Sequence, residues 1–240
     1  MAGPPRRLPP AGVPRDPGEP GGETSQPRSP REEIPGARAF DGVGAVLFDL
    51  DGTLVDSPYD WPAIRRRLGV DHPSLIDGLN GLPSAEREAR WRELEAIEAE
   101  ATREATLKAG ARELLERLRR AGLGLALVTN NGRANTRTLL DRFGLAFDVV
   151  ITRESGLYKP SPAPLLEAAR RLGVDPSRCA VVGDSRHDLA AARGAGCYPV
   201  ILVGNRDPGL TAGADLAFAD LEELLRFVER SVTLLPPQEG

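Results

Sequence analysis

Short apolar runs recur along the chain and alternate with segments of helical periodicity. The apolar runs occupy residues 45–50, 124–128, 147–151, 179–182 and 199–203. Runs of this length without polar alternation are typical of strands buried on both faces of a parallel sheet. Apolar side chains recur at helical spacing within residues 109–121, 135–143, 162–172, 188–195 and 221–229. This alternation predicts an α/β fold in which helices flank a parallel sheet through right-handed crossovers.

One long interval interrupts the alternation. Residues 57–105 separate the first apolar run from the second, and they are charged and mostly helical in pattern. The tryptophans and leucines of this interval fall at helical spacing, which is typical of helices with one buried face. We therefore predict a small helical cap over residues 57–105, inserted into a core formed by residues 43–56 and 106–231.

The beginning of the chain has a different composition. Residues 1–40 hold ten of the 22 prolines, and their six arginines are nearly balanced by five acidic residues. A stretch without apolar periodicity cannot bury enough surface to offset the entropy lost on ordering. The composition predicts a disordered, Pro-rich N-terminal tail over residues 1–42 and a short C-terminal tail over residues 232–240.

Charge and composition exclude several classes of function. The formal net charge is −4 and the isoelectric point is near 5.4, whereas proteins that bind nucleic acid are usually basic. No apolar run reaches the roughly 18 residues of a membrane span, and the N-terminus lacks the apolar segment of a secretory signal. The two cysteines are too few for a disulfide scaffold and lack the CxxC spacing of a zinc site. We expect a cytoplasmic protein that binds neither nucleic acid nor membrane; the sequence leaves its oligomeric state open.

Acidic and hydroxyl side chains follow three of the predicted strands. Asp49 and Asp51 follow the first, Thr129 follows the second, and Asp184 and Asp188 follow the fourth. Because the carboxyl ends of parallel strands meet at one edge of a sheet, we expect these side chains to lie together. Clustered carboxylates repel one another unless a cation neutralises them. An oxygen-only ligand set favours a hard ion, and Mg²⁺ is the commonest partner of a phosphate substrate.

A lysine completes the set. Lys108 and Lys159 are the only lysines among 31 basic residues, so the chain uses arginine almost everywhere else. A compact ammonium group suits a site that holds a phosphoryl group beside a carboxylate, because it acts as a point charge. We interpret Lys159, in the sequence Tyr-Lys-Pro, as a site residue.

Four motifs in order resemble those of the haloacid dehalogenase superfamily. Asp-Leu-Asp-Gly-Thr-Leu-Val-Asp-Ser at residues 49–57 resembles the first motif, Thr129 the second, Lys159 the third and Gly183-Asp184-Ser185-x-x-Asp188 the fourth. The resemblance spans residues 43 to about 230 and includes a similarity to phosphoglycolate phosphatases. It implies a Rossmann-like core with a small helical cap between the first two motifs. It also implies a Mg²⁺-dependent phosphatase that hydrolyses a small phosphorylated metabolite through an aspartyl-phosphate.

The resemblance assigns roles to the acidic residues. Asp49 would attack phosphorus, and Asp51 would protonate the leaving oxygen and then activate the hydrolytic water. Mg²⁺ would lie between Asp49, the backbone carbonyl of Asp51 and Asp184, and it would shield the approach of one anion to another. Asp188 would orient this cluster from the second shell of ligands.

Phosphate binding would fall to the second and third motifs. Thr129 and Lys159 would take part in catalysis and hold phosphate oxygens, and Asn130 would add a binding contact. Among the other polar residues, Arg65-Arg66-Arg67 is interpreted as a solvated helix face rather than a contact to an anionic substrate. Arg153 and Glu154 are interpreted as a structural ion pair.

Three other functions use similar residues. A sugar-phosphate mutase of the β-phosphoglucomutase type would keep its phosphoenzyme while the sugar turns, but it needs a larger cap than the interval of about 50 residues found here. A dehalogenase needs neither a metal nor an acid at the position of Asp51. A phospho-accepting signalling module shares the acidic cluster, the threonine and the lysine, but it is shorter and lacks Asp51 as a hydrolytic base. These differences favour the phosphatase.

Overall fold

The computed structural model describes residues 39–231 of the 240-residue chain. Its strands are β1 (Ala45–Phe48), β2 (Val55–Asp56), β3 (Thr106–Leu107), β4 (Gly124–Val128), β5 (Val149–Ile151), β6 (Cys179–Gly183), β7 (Val200–Val203) and β8 (Leu216–Phe218). Its helices are α1 (Trp61–Leu68), α2 (Leu75–Asn80), α3 (Ser84–Glu104), α4 (Ala111–Arg120), α5 (Arg133–Phe143), α6 (Ala163–Leu172), α7 (Arg186–Ala195), α8 (Pro208–Thr211) and α9 (Leu221–Ser231). The core elements predicted from the apolar pattern are confirmed to within two residues at each end.

Six strands form one parallel sheet in the order β5-β4-β1-β6-β7-β8. The central strand β1 shows why the sequences of these strands are continuous apolar runs. Val46 and Phe48 pack in the half of the core that holds α4 and α9, whereas Ala45 and Leu47 pack in the half that holds α6 and α7. Because successive side chains of a strand point to opposite faces, a sheet covered on both sides needs apolar residues at every position. The predicted α/β fold class, with a Rossmann-like parallel sheet flanked by helices, is confirmed.

Three helices lie between the first strand of the sheet and the second. Helices α1, α2 and α3 follow β2 and precede β3, and β2 and β3 pair antiparallel through Val55 with Leu107 and Asp56 with Thr106. The chain therefore leaves the core and returns to it at the same place. The three helices enclose an apolar cluster of their own, built on Ile64, Leu68, Val70, Leu79 and Leu94. We call residues 57–105 the insertion.

The short elements β8 and α8 were not predicted. Strand β8 has three residues and α8 has four, and β8 lies at the edge of the sheet with its side chains partly exposed. Segments this short carry too few positions to show either periodicity, so only packing against β7 identifies β8 as a strand.

One predicted boundary is corrected by the structure. The Pro-rich tail was predicted to run to residue 42, but Ala39 and Phe40 are buried in the core, and the Phe40 ring packs on Phe227 at 6.3 Å between centroids. Two apolar residues beside a polar stretch carry no periodic signal, so their burial shows only in the packed structure. The rest of the predicted tail and the predicted C-terminal tail at 232–240 lie outside the described residues. Among residues 39–231, no helix combines the length and apolar character needed to cross a membrane.

Candidate active site

The motif residues line one cavity at the carboxyl edge of the sheet. Strand β1 lies between β4 and β6, so the loops after these three strands are neighbours. Asp49 follows β1, Thr129 follows β4 and Asp184 follows β6, and all three line a cavity of about 360 Å³. Asp51 and Lys159 line the same cavity. Its volume lies within the range typical of small-molecule sites.

Lys159 joins two of the carboxylates. Its Nζ atom donates hydrogen bonds to Asp49 Oδ1 at 2.6 Å and to Asp188 Oδ1 at 2.5 Å, and its side chain is 5% exposed. Burial alone would lower the pKa of Lys159, but the carboxylates of Asp188 and Asp49 outweigh burial and raise this pKa above its ordinary value. Asp188 also accepts a hydrogen bond from Ser185 Oγ at 2.6 Å. The ammonium group is therefore held as a permanent positive charge beside Asp49.

Asp51 is held by two donors. Ser57 Oγ donates to Asp51 Oδ1 at 2.7 Å, and Asn131 Nδ2 donates to Asp51 Oδ2 at 2.9 Å. Burial raises the pKa of Asp51 above its ordinary value, and the bonds from Ser57 and Asn131 only partly offset this effect. A raised pKa suits a carboxyl group that must donate a proton before it accepts one.

Gly52 allows the chain to turn immediately after Asp51. Its φ angle is +84°, and a Cβ atom at this position would lie 2.2 Å from Asp184 Oδ2. Only glycine combines the left-handed backbone with this close approach. Lys108 Nζ donates to the Gly52 carbonyl oxygen. Lys108 and Lys159, the two lysines of the chain, thus contact the same loop after β1.

The loop after β4 uses its side chains to hold its own backbone and that of Lys159. Thr129 Oγ1 accepts from the Asn131 amide at 3.0 Å, and Asn131 Oδ1 accepts from the Gly132 amide at 2.7 Å. Asn130 makes a reciprocal pair with the backbone of Lys159, because Nδ2 donates to its carbonyl and Oδ1 accepts from its amide, both at 2.8 Å. The geometry therefore shows Asn130 fixing the position of Lys159, and its predicted contact to substrate stays a prediction.

The ion pair predicted between Arg153 and Glu154 does not form. The Glu154 carboxylate accepts from the Arg133 amide at 2.9 Å, at the start of α5. Arg153 instead forms a bidentate pair with Glu98 of α3, at 2.6 and 3.0 Å, and lies 4.7 Å from the centroid of the Trp91 ring. Adjacent residues in a tight turn point in different directions, so proximity in sequence was a poor guide to their partners. The pair of Arg153 with Glu98 links the insertion to the loop that follows β5.

A metal ion fits the acidic cluster. One carboxylate oxygen from each of Asp49, Asp184 and Asp188 lies within 4.8 Å of the others. Burial and the neighbouring Asp188 raise the pKa of Asp184 to about 6. The negative charge of one carboxylate thus makes ionisation of the next carboxyl group less favourable. A donor set made only of oxygen favours a hard divalent cation such as Mg²⁺, which would neutralise this repulsion. The carboxylate of Asp51 is not part of this group, and its predicted contact to the metal through the backbone carbonyl stays a prediction.

The insertion supplies the opposite wall of the cavity. Apolar and aromatic side chains dominate this wall, and a few polar side chains join them: Tyr59, Trp61, Arg65, Ser74, Leu75, Ile76, Leu94 and Glu98. Tyr59 and Trp61 stack on each other with ring centroids 4.6 Å apart. The solvated helix face predicted for residues 65–67 is thus wrong for Arg65, which lines the cavity.

Sequence patterns did not identify several residues of the site, and Asn131 and Glu98 are two of them. Asn131 follows the predicted contact Asn130 directly, and nothing in the sequence distinguishes the two amides. Glu98 is one of many acidic residues in α3, yet its side chain is only 4% exposed. A charged residue on a charged helix shows no periodic signal, so its burial becomes visible only when α3 packs on the core.

A family model described as haloacid dehalogenase-like hydrolase matches residues 57–196, more than half of the chain. The chain belongs to the haloacid dehalogenase-like hydrolase family. Its predicted class, a phosphoric monoester hydrolase, is confirmed.

Individual members of the family match most of the chain. An uncharacterized hydrolase of Saccharomyces cerevisiae is 30% identical over 82% of this chain and 96% of its own length. A phosphoglycolate phosphatase of Chromobacterium violaceum is 34% identical over 76% of this chain and 95% of its own length. The crystal structure of a family hydrolase from Deinococcus radiodurans, with bound phosphate and sodium, is 26% identical, with a TM-score of 0.59 over 81% of this chain and 99% of that one. The similarity therefore covers the core and the insertion together.

Proposed function

We propose that the protein is a Mg²⁺-dependent phosphatase that hydrolyses a small phosphomonoester through an aspartyl-phosphate on Asp49. One observation carries this proposal: two carboxyl groups two residues apart line the same cavity and have different hydrogen-bond partners. Asp49 contacts the Lys159 ammonium group, whereas Asp51 receives hydrogen bonds from the neutral donors Ser57 and Asn131. Such a pair suits a nucleophile beside a general acid and base.

The two carboxyl groups divide the reaction into two displacements. In the first, an Asp49 oxygen forms a bond to phosphorus while the bond from phosphorus to the leaving oxygen breaks, and Asp51 gives its proton to that oxygen. In the second, Asp51 takes a proton from water as the water oxygen attacks phosphorus, and the bond to Asp49 breaks. Asp49 is then a free carboxylate, Asp51 is protonated again, and inorganic phosphate leaves.

The remaining motif residues would bind and orient the phosphoryl group. Mg²⁺, held by Asp49, Asp184 and the backbone carbonyl of Asp51, would supply positive charge that offsets repulsion between the phosphoryl group and the carboxylates. Lys159 would add a fixed positive charge on the other side of Asp49, since its Nζ lies 2.6 Å from that carboxylate. Thr129 would hold a phosphate oxygen with its hydroxyl, and Asp188 would keep Lys159 in place.

The relatives support the same chemistry. The protein from Chromobacterium violaceum is a phosphoglycolate phosphatase, and the structure from Deinococcus radiodurans holds a phosphate ion. For this chain the similarity supports a small phosphorylated metabolite as substrate. We also propose that the insertion is the cap that covers this substrate and that the enzyme is cytoplasmic; the free thiols of Cys179 and Cys197 are compatible with a reducing compartment.

The Asp49→Asn and Asp51→Asn variants test the mechanism with p-nitrophenyl phosphate. Asp49→Asn removes the nucleophile, so we expect no covalent intermediate and no turnover. Asp51→Asn keeps the backbone carbonyl and loses proton transfer, which contributes about 10²- to 10⁴-fold to the reaction rate. Because p-nitrophenolate needs little protonation to leave, we expect a burst of p-nitrophenol followed by a stall. Acid-quenched protein should then carry one added phosphoryl group by mass spectrometry, mapped to Asp49.

Two results would contradict the proposed function. Phosphate found on a residue other than Asp49 would remove the nucleophile assignment. Steady turnover by the Asp51→Asn variant at the wild-type rate would show that this carboxyl group neither protonates the leaving oxygen nor activates water. Omission of Mg²⁺ is expected to abolish both turnover by the wild type and the burst of the Asp51→Asn variant.

A further inference from the structure

The cavity has two ends with different chemistry. The motif residues Asp49, Thr129 and Lys159 line the end at the sheet, and residues of the insertion line the other. Displacement at phosphorus is in line, so the leaving group lies on the side of phosphorus away from Asp49. With the phosphoryl group at the sheet edge, the leaving group must extend toward the insertion. The side chains of the insertion wall therefore decide which leaving groups fit.

Two of the basic side chains that line the cavity are already paired with carboxylates. Lys159 is paired with Asp49 and Asp188, and Arg153 is paired with Glu98. Arg65 differs, because within residues 39–231 it forms no ion pair. Its guanidinium group donates instead to two backbone carbonyls, those of His72 and, at 3.0 Å, Pro73.

These two bonds orient Arg65 without neutralising it. A guanidinium group has five N–H donors and stays charged at any physiological pH, so three donors remain for another acceptor. The side chain is half-buried and lines the cavity. A charge held in a partly dry cavity by neutral carbonyls is a preorganised anion contact, because little side-chain entropy is left to lose on binding.

An arginine also lines the cavity from the core side. His187 lies at the start of α7, and burial, followed by the charge of Arg186, lowers its pKa, with smaller contributions from Lys159 and Arg65. Arg186 lines the cavity too, and it forms no ion pair in the described part of the chain. The cavity is thus lined by one arginine from the insertion and one from α7.

We propose that Arg65 determines substrate specificity by binding a second anionic group, a carboxylate or a phosphate, on the leaving group. This inference rests on the proposed phosphatase function and names the class of substrate: phosphomonoesters whose alcohol carries its own negative charge. A charge-assisted bond from a preoriented guanidinium group to such an anion distinguishes it from a neutral alcohol of the same size.

The neighbouring arginines of α1 provide a matched control. Arg66 is exposed and lines no part of the cavity, and Arg67 pairs with Glu93 on the surface at 2.7 Å. Replacing Arg66 by methionine changes the net charge as much as replacing Arg65 does. A difference between the two variants therefore reports on a contact inside the cavity rather than on the overall charge of the protein.

Three substrates of one carbon skeleton test the proposal. Glycerol 3-phosphate has a neutral alcohol, 3-phosphoglycerate adds a carboxylate, and glycerol 1,3-bisphosphate adds a phosphate. We expect the wild type to prefer one of the charged substrates over glycerol 3-phosphate by at least about tenfold in kcat/KM, a difference of about 1.4 kcal/mol. Arg65→Met should lose most of this preference, Arg65→Lys should retain part of it, and Arg66→Met should keep it. The preferred charged substrate identifies the anion as carboxylate or phosphate.

Several outcomes would overturn the inference. A wild type that shows no preference for either charged substrate would do so. An Arg65→Met variant that loses kcat/KM equally for all three substrates would show a general electrostatic attraction instead of a specific contact. An Arg66→Met variant that loses the preference as completely as Arg65→Met does would place the effect in overall charge. In each case, p-nitrophenyl phosphate turnover and phosphorylation of Asp49 in the wild type report separately on the proposed function.

Discussion

At the scale of single residues, the site depends on which atoms hold each charge. Lys159 contacts two carboxylates through one nitrogen atom, and the reciprocal bonds from Asn130 fix its backbone. This arrangement needs a compact cation at the end of a straight chain. Arginine, which the sequence uses nearly everywhere else, spreads its charge over a plane and would displace Asp49 or Asp188.

Lys159→Arg is therefore expected to be a severe change. We predict a loss of about 10²-fold or more in kcat, similar in size to the loss of one preorganised electrostatic donor. Steady-state kinetics with p-nitrophenyl phosphate measure the effect, and thermal unfolding shows whether the variant folds. An active arginine variant with wild-type kcat would mean that Lys159 stands outside the reaction.

At the scale of elements, one buried ion pair connects the insertion to the core. Glu98 lies on α3 and Arg153 in the turn after β5, and their side chains are 4% and 10% exposed. The Arg153 amide also donates to the Asn131 carbonyl at 3.2 Å, and Asn131 in turn holds Asp51. The position of α3 is thus coupled through three residues to the proposed general acid.

Removal of either partner should leave a buried charge without compensation. We expect Glu98→Gln and Arg153→Met each to lower the free energy of unfolding by about 3 kcal/mol or more in urea titrations. The double variant Glu98→Gln/Arg153→Met should lose less than the sum, because it leaves no unpaired charge. Glu93→Gln, which breaks the exposed pair with Arg67, is the control and should have a smaller effect. Additive losses in the double variant would argue against a coupled buried pair.

At the scale of the whole molecule, the folded unit starts earlier than the composition indicates. Phe40 is 8% exposed and packs on Phe227 of α9, and Arg178 Nε donates to the Gly42 carbonyl at 2.8 Å. Residues 39–42 therefore make contacts that stabilise the core, although they directly follow a Pro-rich stretch. All motif residues lie within the described part of the chain.

Two truncations that differ by four residues test this boundary. Deletion of residues 1–38 should leave kcat/KM and Tm close to those of the full chain, because no motif residue is removed. Deletion of residues 1–42 should lower the stability by about 3 to 5 kcal/mol, comparable to truncation of a buried phenylalanine. Thermal unfolding and p-nitrophenyl phosphate turnover measure both. Equal Tm values for the two truncations would contradict the burial of Phe40.

The sequence alone determined the parallel α/β sheet and the set of residues at its carboxyl edge. Both follow from local signals: continuous apolar runs at β1, β4 and β6, and acids, Thr129 and a glycine directly after them. Because strand direction and sheet edge follow from this pattern, the meeting of Asp49, Thr129 and Asp184 required no knowledge of side-chain packing. The donor set for a hard metal ion followed from the same residues.

Only the tertiary structure decided which side chains touch across the cavity. Asn131 rather than Asn130 reaches Asp51, Arg153 pairs with Glu98 rather than with its neighbour, and Arg65 faces the cavity. These contacts join residues that are distant in the chain, and they depend on how the insertion packs against the loops of the sheet. Helical periodicity identifies the apolar face of each helix, but it cannot show which charged residue on the remaining surface meets a partner.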